Sequence, residues 1–443
     1  MSSTKIQLRW QPLPRVPARN HRMINSVVFG VPIKSHHRVS DVHSRTNGPS
    51  FGRFGRFGGK FVPETLMSPL RDLEEELDFV LSDHEFQAEF TTALRDYVGR
   101  ETPLYFAERL TEHYRNKCRT TGDGPEIYLK REDLGHSGSH KMNNALAQAM
   151  IARRLGCSRV VAATGAGQHG VATAAACAKL SLECTVFMGT TDIEKQSSNV
   201  LSMKLLGAQV SSLEGTFQDA SSEAIRNWVE NLQTTYYLSG TVVGPHLSPV
   251  MVREFQSVIG KETRKQAKRL WGGKPDVLVA FVGSGSNALG LFHEFVGDED
   301  VRLVGVEAAG LGLDSGKHSA TLAVGDVGVY HGSIELLVPH ICLIGRRLEY
   351  TGVGPEISFL KETGRVEFYT ATDKEAIQDW RGIIPALEAS HALAFLDKLV
   401  PILHDGAKVI VNCSGRGDKD IDTLIKRGSP SSLSRVTKMS HYS

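Results

Sequence analysis

The sequence predicts an α/β protein with mostly parallel sheets, and two observations support this. Short apolar segments alternate with helical segments from about residue 68 onward, the order in which strands and crossover helices build a parallel sheet. The apolar segments are nearly continuous, as expected for strands that are covered on both faces. No Pro/Ser-rich linker interrupts the body of the chain, so we expect interleaved domains rather than domains joined in line.

The individual elements follow from these local patterns. Strands are predicted at 126–133, 158–164, 183–189, 208–213, 276–282, 301–307 and 407–413. Helices are predicted at 141–156, 171–180, 194–207, 288–295, 371–380 and 384–400. The first helix ends at Gly156, and the two arginines in its last turn interact favourably with the helix dipole.

The composition argues against several classes of protein. A net charge of +2 gives no indication of nucleic-acid binding. No uninterrupted apolar stretch reaches the roughly 18 residues that a membrane span needs. The six cysteines form no C-x-x-C pair and show no zinc-like spacing, so we expect reduced thiols and no metal site.

Residues 1–50 differ from the rest of the chain. They contain eight lysines and arginines, seven serines and one acid, without helical or strand periodicity. This composition is typical of an organelle transit segment; the alternative is a disordered basic tail of another purpose. The expected division is a disordered segment 1–50, a body 51–427 and a disordered tail 428–443.

The loop Gly283–Asn287, which follows the predicted strand 276–282, predicts a phosphate site. Its glycines let backbone N–H groups approach a ligand at the start of a helix, and its serine and asparagine side chains can donate further hydrogen bonds. One alternative is an ordinary tight turn. Another is the dinucleotide fingerprint G-x-G-x-x-A with Glu307 as ribose partner, but this fingerprint lies in mid-chain and leaves Lys141 unexplained.

Further polar residues occupy positions where ligands bind in α/β proteins. The loop Thr164–His169 offers backbone donors for a carboxylate, although His169 alone is more simply explained as a structural histidine. Ser414 follows a strand end, where its hydroxyl could face a ring nitrogen or only form a turn. Glu388 lies on a mostly apolar helix, where an acid needs a partner or a function unless it marks the exposed edge.

Lys141 lies between a Gly/Ser-rich loop and the start of a predicted helix, an unusual place for a lysine. Combined with a phosphate loop, a carboxylate loop and a partner for a ring nitrogen, it indicates pyridoxal 5'-phosphate (PLP), whose aldehyde forms a Schiff base with a lysine amine. Desolvation would lower the pKa of the amine, as this reaction requires. Taken alone, the lysine could equally bind phosphate or lie at the surface.

Eight segments resemble the tryptophan synthase β chain. They are GRFGGKFVPETL, LKREDLGHSGSHKMNNAL, TGAGQHGVATA, FMGTTDIEKQSSNVLSMKLLGAQV, VGSGSNALGLF, TGVGPEISFLKETGR, IIPALEASHALAF and NCSGRGDKD. The similarity runs from about residue 53 to 427, in order and nearly without a break. It is closer to the β chain than to threonine dehydratase or cysteine synthase, which share only the fold.

The resemblance implies a type II PLP-dependent fold, with two interleaved three-layer α/β/α domains and the cofactor between them. The implied catalytic residues are Lys141, Glu388 and Glu349. The implied cofactor-binding residues are Lys141, which would form the Schiff base, His140, Gly283, Ser284, Gly285, Ser286, Asn287 and Ser414. The implied substrate-binding residues are Thr164, Gly165, Ala166, Gly167, Gln168 and His169.

The family reaction is β-replacement, in which L-serine and indole give L-tryptophan in tryptophan biosynthesis. The neutral Ser414 hydroxyl at the pyridine nitrogen is consistent with expulsion of the β-substituent, whereas an aspartate there would favour transamination. The implied partner is the tryptophan synthase α chain, and the implied assembly is a β homodimer within an α2β2 complex. The implied location is the chloroplast, although a transit composition also fits the mitochondrion.

The sequence departs from the family at three places. Ala163 stands where the family has its acid–base glutamate, a group whose loss typically costs about 10²–10⁴-fold in rate. Glu349 replaces an aspartate of the mobile loop, and the segments 332–350 and 374–387 are shorter than in the family. Three hypotheses therefore remain: an impaired or altered tryptophan synthase β-type enzyme, a PLP lyase that deaminates L-serine, and a degenerate paralogue that binds PLP or an α chain.

Overall fold

A computed structural model describes residues 52–118, 124–338, 352–377 and 382–421. The predicted transit segment, the predicted tail and Glu349 lie outside the described residues, so those predictions and the domain boundaries at 50 and 427 stay predictions. None of the helices in the described ranges combines the length and the apolar character needed to cross a bilayer.

The strands and helices are numbered in chain order. The strands are β1 (Arg53–Phe54), β2 (Phe57–Gly58), β3 (Leu104–Phe106), β4 (Glu126–Lys130), β5 (Arg159–Ala163), β6 (Glu183–Gly189), β7 (Gln209–Leu213), β8 (Thr235–Tyr237), β9 (Val277–Phe281), β10 (Arg302–Gly310), β11 (Asp326–Tyr330), β12 (Ser333–Leu337), β13 (Gly352–Val353), β14 (Glu367–Thr372) and β15 (Lys408–Asn412). The helices are α1 (Met67–Ser82), α2 (His84–Ala93), α3 (Glu108–Cys118), α4 (Lys141–Arg154), α5 (Gln168–Leu180), α6 (Thr190–Lys195), α7 (Ser197–Leu205), α8 (Phe217–Glu230), α9 (Ser248–Gln256), α10 (Val258–Trp271), α11 (Ser286–Phe292), α12 (Thr321–Val324), α13 (Pro355–Glu362), α14 (Asp373–Ala376), α15 (Leu387–Ala394) and α16 (Leu396–Leu399).

Two parallel sheets organise the fold, which confirms the predicted α/β class. One sheet has the order β14-β10-β9-β15-β4-β3 and is parallel except for β3, and the other has the order β7-β6-β5-β8 and is parallel throughout. The chain starts the first sheet with β3 and β4, builds the whole second sheet, and then returns to the first. The strands of the first sheet therefore lie on both sides of the second sheet along the chain.

The strand β9 illustrates why the apolar segments are continuous. All five of its residues are buried. Leu278 and Ala280 pack in one cluster with residues of α11, and Val277 and Val279 pack in another with Ala392 of α15. Each face of the sheet is thus covered by a helix, so the side chains on both faces of β9 are buried.

A third, antiparallel sheet was not predicted. It joins β1, β2, β12 and β11 in that order, and β13 pairs with β12. Several of these strands have only two residues, too few for a period-2 pattern to be visible in the sequence.

Three predicted helices differ from the observed ones. The helix predicted at 194–207 is wrong as a single element, because the backbone at Gln196 leaves the helical region (φ −117°, ψ 34°) and separates α6 from α7. The helix predicted at 384–400 begins only at Leu387 and divides at Phe395 into α15 and α16. The described part of the helix predicted at 371–380 contains the short helix α14. Thr372 forms a capping box at its start.

Candidate active site

A cavity of about 210 Å³ lies against the first residue of α4 and the loops that follow β5, β9 and β15. Loops at the carboxyl ends of parallel strands are where α/β proteins bind ligands. The predicted residues on its wall are His140, Lys141, Thr164, Gly165, Ala166, Gln168, His169, Gly283, Ser284, Gly285, Ser286, Asn287, Glu388 and Ser414. Gly167 is not on the wall but forms the N-cap of α5 with φ 83°.

Lys141 is the first residue of α4, and its amine lies on the cavity wall. Its Nζ donates to the carbonyl oxygen of Gly240 at 2.8 Å and to Ser286 Oγ at 2.9 Å. Desolvation lowers the pKa of Lys141 to about 8, an effect that the negative charge of Glu388 partly offsets. At pH 7 roughly one amine in ten is therefore uncharged, far more than for an ordinary lysine, and the uncharged form is the nucleophile.

His140 and Ser286 continue a chain of hydrogen bonds from Lys141. His140 Nε2 lies 3.1 Å from Ser286 Oγ, and His140 Nδ1 lies 3.0 Å from the carbonyl oxygen of Ser414. Since a carbonyl only accepts, Nδ1 carries the proton and Nε2 accepts from the Ser286 hydroxyl. Burial and the nearby Lys141 amine lower the pKa of His140 to about 3, so the ring is neutral.

The loop Gly283–Asn287 connects β9 to α11 and presents an anion-binding backbone. Its five N–H groups have no acceptor among the described residues. Gly285 has φ 111°, and a Cβ there would lie 2.7 Å from Ile357 Cγ1, so this position needs glycine. The Asn287 side chain is structural, because its Nδ2 donates to the Phe281 carbonyl at 2.6 Å and its Oδ1 accepts from Asn412 at 3.1 Å.

The loop Thr164–His169 connects β5 to α5 and forms a second anion-binding backbone. The N–H groups of Gly167, Gln168 and His169 have no acceptor within the described part of the chain. Asn199 donates to the carbonyl oxygen of Ala166 at 2.8 Å and holds the loop from behind. These donors at the first turn of a long helix are suited to a carboxylate.

The His169 side chain is hydrogen-bonded within the protein on one of its ring nitrogens. Its Nε2 donates to the Leu238 carbonyl at 3.1 Å, and burial lowers its pKa to about 3. The His169 ring packs directly against Gly240. A Cβ at Gly240 would lie 2.5 Å from His169 Cδ2, so a side chain does not fit there. This close approach keeps the Gly240 carbonyl next to Lys141.

Glu388 stands in the first turn of α15 and faces the cavity. Lys419 Nζ lies 3.2 Å from Glu388 Oε2 and 2.9 Å from Asp420 Oδ1. Asp420 is fully buried and also accepts from the N–H of Leu387 at 2.9 Å, which fixes the start of α15. Glu388 is therefore paired with an adjacent ammonium group.

A buried ionic network contacts α4 and connects it to neighbouring elements. Arg100 binds Glu132 and Glu262 at 2.8 Å and 2.7 Å, and it also donates to Asn143 of α4 at 2.8 Å. Lys130, fully buried at the end of β4, binds Glu262 at 2.7 Å. These contacts join α4 to the six-stranded sheet two residues after Lys141.

Sequence reasoning missed other parts of the cavity wall. Gly240 lies outside the recognised segments, and Asp192 lies within one of them but was not singled out, because a single carbonyl or a single acid carries no spacing signal. The wall also has an apolar portion that was not foreseen. It consists of Phe217, Ile225, Tyr237, Val243 and Pro245.

Comparison with known proteins identifies the family of the chain. Residues 96–384 match the family described as pyridoxal-phosphate dependent enzymes. The chain belongs to this family. Among solved structures, it is similar to the processed form of threonine deaminase isoform 2 from Solanum lycopersicum, with 18% sequence identity and a TM-score of 0.58 over 85% of this chain and 96% of that chain. At this identity the likeness establishes the type II fold.

The described residues fit PLP. Lys141 supplies an amine with a lowered pKa, the unpaired N–H groups of Gly283–Asn287 suit the phosphate, and Ser414 lies on the same wall. The alternative of dinucleotide binding needs Glu307 to contact a ribose. Glu307 is instead buried and accepts hydrogen bonds from the N–H groups of Leu322 and Ala323. Those two bonds hold the start of α12 instead.

Proposed function

We propose that this PLP-dependent enzyme acts on L-serine by β-replacement, with indole as acceptor and L-tryptophan as product. The main support for the proposal is that Lys141, two anion-binding loops and Ser414 lie on one cavity wall. An amino acid with a carboxylate at Thr164–His169 would bring its Cα toward Lys141. The tryptophan synthase-like motifs between residues 53 and 427 support the choice of serine and indole.

When bound, PLP would supply an aldehyde for the substrate amine and a ring that withdraws electrons from Cα. In our proposal Lys141 takes and returns the Cα proton, and its lowered pKa suits that exchange. Ser286 and His140 orient the Lys141 amine through their chain of hydrogen bonds. The Thr164–His169 loop holds the substrate carboxylate.

The Ser414 hydroxyl favours chemistry at Cβ. If it faced the pyridine nitrogen of PLP, this neutral hydroxyl would not hold a proton there, and the ring would store less negative charge. Expulsion of the β-substituent then competes well with transamination. The apolar wall around Phe217 and Val243 supports a flat apolar acceptor such as indole.

A second candidate is deamination of L-serine to pyruvate and ammonia. Ala163 favours it, because this residue ends β5 on the cavity wall and offers only a methyl group at the position of the family glutamate. Without that carboxylate the indole nitrogen has no partner there. The third candidate, a degenerate paralogue that binds PLP or an α chain, predicts no turnover.

We further propose a partnership with a tryptophan synthase α chain, a β homodimer within an α2β2 complex, and import into the plastid. The resemblance supports the partners, and the basic, serine-rich residues 1–50 support import. Light scattering of the chain with and without an α chain tests the assembly. Import into isolated plastids and mitochondria tests the location.

The decisive experiment uses the purified full chain loaded with PLP. The visible spectrum is recorded, L-serine and then indole are added, and tryptophan and pyruvate are assayed, with Lys141→Ala as the control that cannot form the Schiff base. Tryptophan supports β-replacement. Pyruvate without tryptophan supports deamination instead, and the absence of a Schiff-base band in the wild-type chain would refute both.

A further inference from the structure

One face of α4 contacts the backbone that follows β8. Lys141, Asn144 and Gln148 are three and four residues apart along the helix and therefore project from the same side. Lys141 Nζ donates to the Gly240 carbonyl at 2.8 Å. Asn144 Nδ2 and Gln148 Nε2 both donate to the Ser239 carbonyl, each at 2.8 Å. The residue that carries the reactive amine thus shares its helix face with two side chains that bind the adjacent peptide group.

The Gln148 side chain is fully buried, and all four of its hydrogen-bonding sites are used. Its Nε2 donates to the Ser239 carbonyl and, at 2.7 Å, to Asn144 Oδ1. Its Oε1 accepts from the Ser239 N–H at 3.1 Å and from the Tyr236 hydroxyl at 3.2 Å. Gln148 therefore binds both backbone groups of Ser239, as a neighbouring strand would.

The acceptor of the Lys141 amine is the carbonyl of a residue that has no side chain. Position 240 requires glycine, since a Cβ there would lie 2.5 Å from His169 Cδ2. Glycine has the most permissive backbone of all residues, so its own dihedral preferences do not fix the direction of its carbonyl. That direction therefore depends on how the neighbouring peptide groups are held.

Ser239 connects the peptide groups on the two sides of Gly240. Its carbonyl belongs to the peptide group that precedes Gly240, and Gln148 binds that carbonyl. Its Oγ donates to the Thr241 carbonyl at 3.2 Å, on the other side of Gly240. Through Ser239, a side chain about two turns along α4 is therefore linked to the acceptor of the Lys141 amine.

We propose that Gln148 is a positioning residue for Lys141: by binding both backbone groups of Ser239 it fixes the Gly240 carbonyl, which in turn orients the amine in the cavity. The inference rests on Lys141 being the lysine that binds PLP, as in the proposed function, and not on which amino acid reacts. Gln148 is not on the part of the cavity wall that the described residues form. An effect of its substitution on the amine is therefore transmitted through Ser239 and Gly240.

The ionisable groups that act on the amine are not bound by Gln148. Glu388 of α15 is the carboxylate whose charge raises the pKa of Lys141. The rings of His140 and His169 are neutral, because burial lowers the pKa of each to about 3. The four hydrogen bonds of Gln148 go to other residues. A changed titration of Lys141 in a Gln148 variant thus reports on the hydrogen bonds of the amine.

The test uses Gln148→Met, which keeps the length of the side chain and removes both bonds to Ser239. We expect the rate constant for PLP attachment to the apoprotein, on its plateau at high pH, to fall roughly tenfold or more, because a misplaced nucleophile reacts slowly even when uncharged. The pH midpoint of this rate should also fall, since an ammonium group that loses an acceptor gives up its proton more easily. Stopped-flow absorbance measures both quantities.

A second measurement needs no cofactor. The apoprotein is labelled with acetic anhydride at several pH values, and mass spectrometry of the peptide that contains Lys141 gives the pKa of its amine. We expect a lower pKa in Gln148→Met than in the wild-type chain. If Gln148→Met does not fold, Asn144→Ala replaces it. This variant removes one of the two donors to the Ser239 carbonyl and should change the same quantities in the same direction by a smaller factor.

Two control variants separate positioning from stability. Gln266→Met is the same change at another buried glutamine, which donates to the Thr102 carbonyl at 2.8 Å. It should lower the urea denaturation midpoint without changing the rate or the pH profile of PLP attachment. Tyr236→Phe removes one bond to Gln148 Oε1 but keeps both backbone bonds of Gln148, and it should leave the plateau rate constant unchanged.

A plateau rate constant and a pH midpoint equal to those of the wild-type chain in folded Gln148→Met would overturn the inference. Equal changes in Gln148→Met and Gln266→Met would also overturn it, since the effect would then follow stability. The absence of a Schiff-base band in the wild-type chain would refute the proposed function itself, because Lys141 would not be the lysine that binds PLP. The two failures are therefore distinguishable.

Discussion

At the scale of single residues, Lys141 has a chemical environment that its sequence neighbours predicted only in part. The Gly/Ser-rich loop and the helix start indicated a special lysine, and the expected lowering of its pKa by desolvation is confirmed. The acceptors Gly240 and Ser286 come from positions 99 and 145 residues away. No local pattern could have identified them.

The lowered pKa of Lys141 makes the rate of PLP attachment depend on pH. Below about pH 8 most of the amine is protonated, so the rate constant for attachment to the apoprotein should rise about tenfold per pH unit and then level off above pH 8. Stopped-flow absorbance at several pH values measures this. A rate that keeps rising to pH 10 would mean an ordinary lysine.

The charge of Glu388 raises the pKa of Lys141, so its removal should have the opposite effect. In Glu388→Gln, the pH midpoint for PLP attachment should fall below that of the wild-type chain. Asp397→Asn, an exposed carboxylate paired with Lys117, serves as the control and should not move the midpoint. An equal midpoint in wild type and Glu388→Gln would show that the two groups are not coupled.

At the scale of elements, the strands of the two parallel sheets are the clearest success of sequence reasoning. Strands β5, β6, β9 and β15 were predictable because each is a continuous apolar segment between polar loops. The antiparallel sheet was not, because pairing between two-residue strands depends on distant partners. The break at Gln196 was also invisible, since the helical pattern continues through it.

Gly285→Ala should weaken PLP binding at least tenfold. The backbone at 285 has φ 111°, which L side chains avoid, and the new Cβ would meet Ile357 at 2.7 Å, so the loop would have to move. Titration of the apoprotein with PLP, followed by absorbance, gives the dissociation constant. Gly297→Ala, where a Cβ would meet nothing within 4 Å, controls for a general effect of the substitution.

The buried network behind α4 should contribute strongly to stability. Arg100→Met leaves Glu132 and Glu262 without their shared partner, and breaking such a buried pair typically costs about 3–5 kcal/mol in the free energy of unfolding. Urea denaturation measures the loss. Arg95→Met removes an exposed pair with Asp96 and should leave the denaturation midpoint unchanged.

At the scale of the whole molecule, the active site exists only in the folded chain. Its wall combines loops after β5, β9 and β15 with the start of α4. Composition and periodicity predicted the sheets and the anion-binding loops, and the motif resemblance suggested that these loops share a cofactor. The apolar wall and Asp192 depend on side-chain packing between distant segments, so the sequence alone did not identify them.

PLP should therefore stabilise the whole fold. A ligand that binds only the folded state at about 100 times its dissociation constant adds about 2.7 kcal/mol to the free energy of unfolding. The thermal midpoint should rise with PLP concentration, and the rise should be smaller in Lys141→Ala. A midpoint that is independent of PLP would contradict binding within this cavity.

The interleaved strand order also constrains how the chain can be made. Glu126 of β4 pairs with Lys408 of β15, 282 positions later in a chain of 443 residues. During synthesis on the ribosome, β4 must wait for this partner until translation is nearly complete, while the four-stranded sheet between them can already form. Until the last strand emerges, β4 therefore lacks one of its two neighbours, and an unpaired strand edge of this kind favours aggregation.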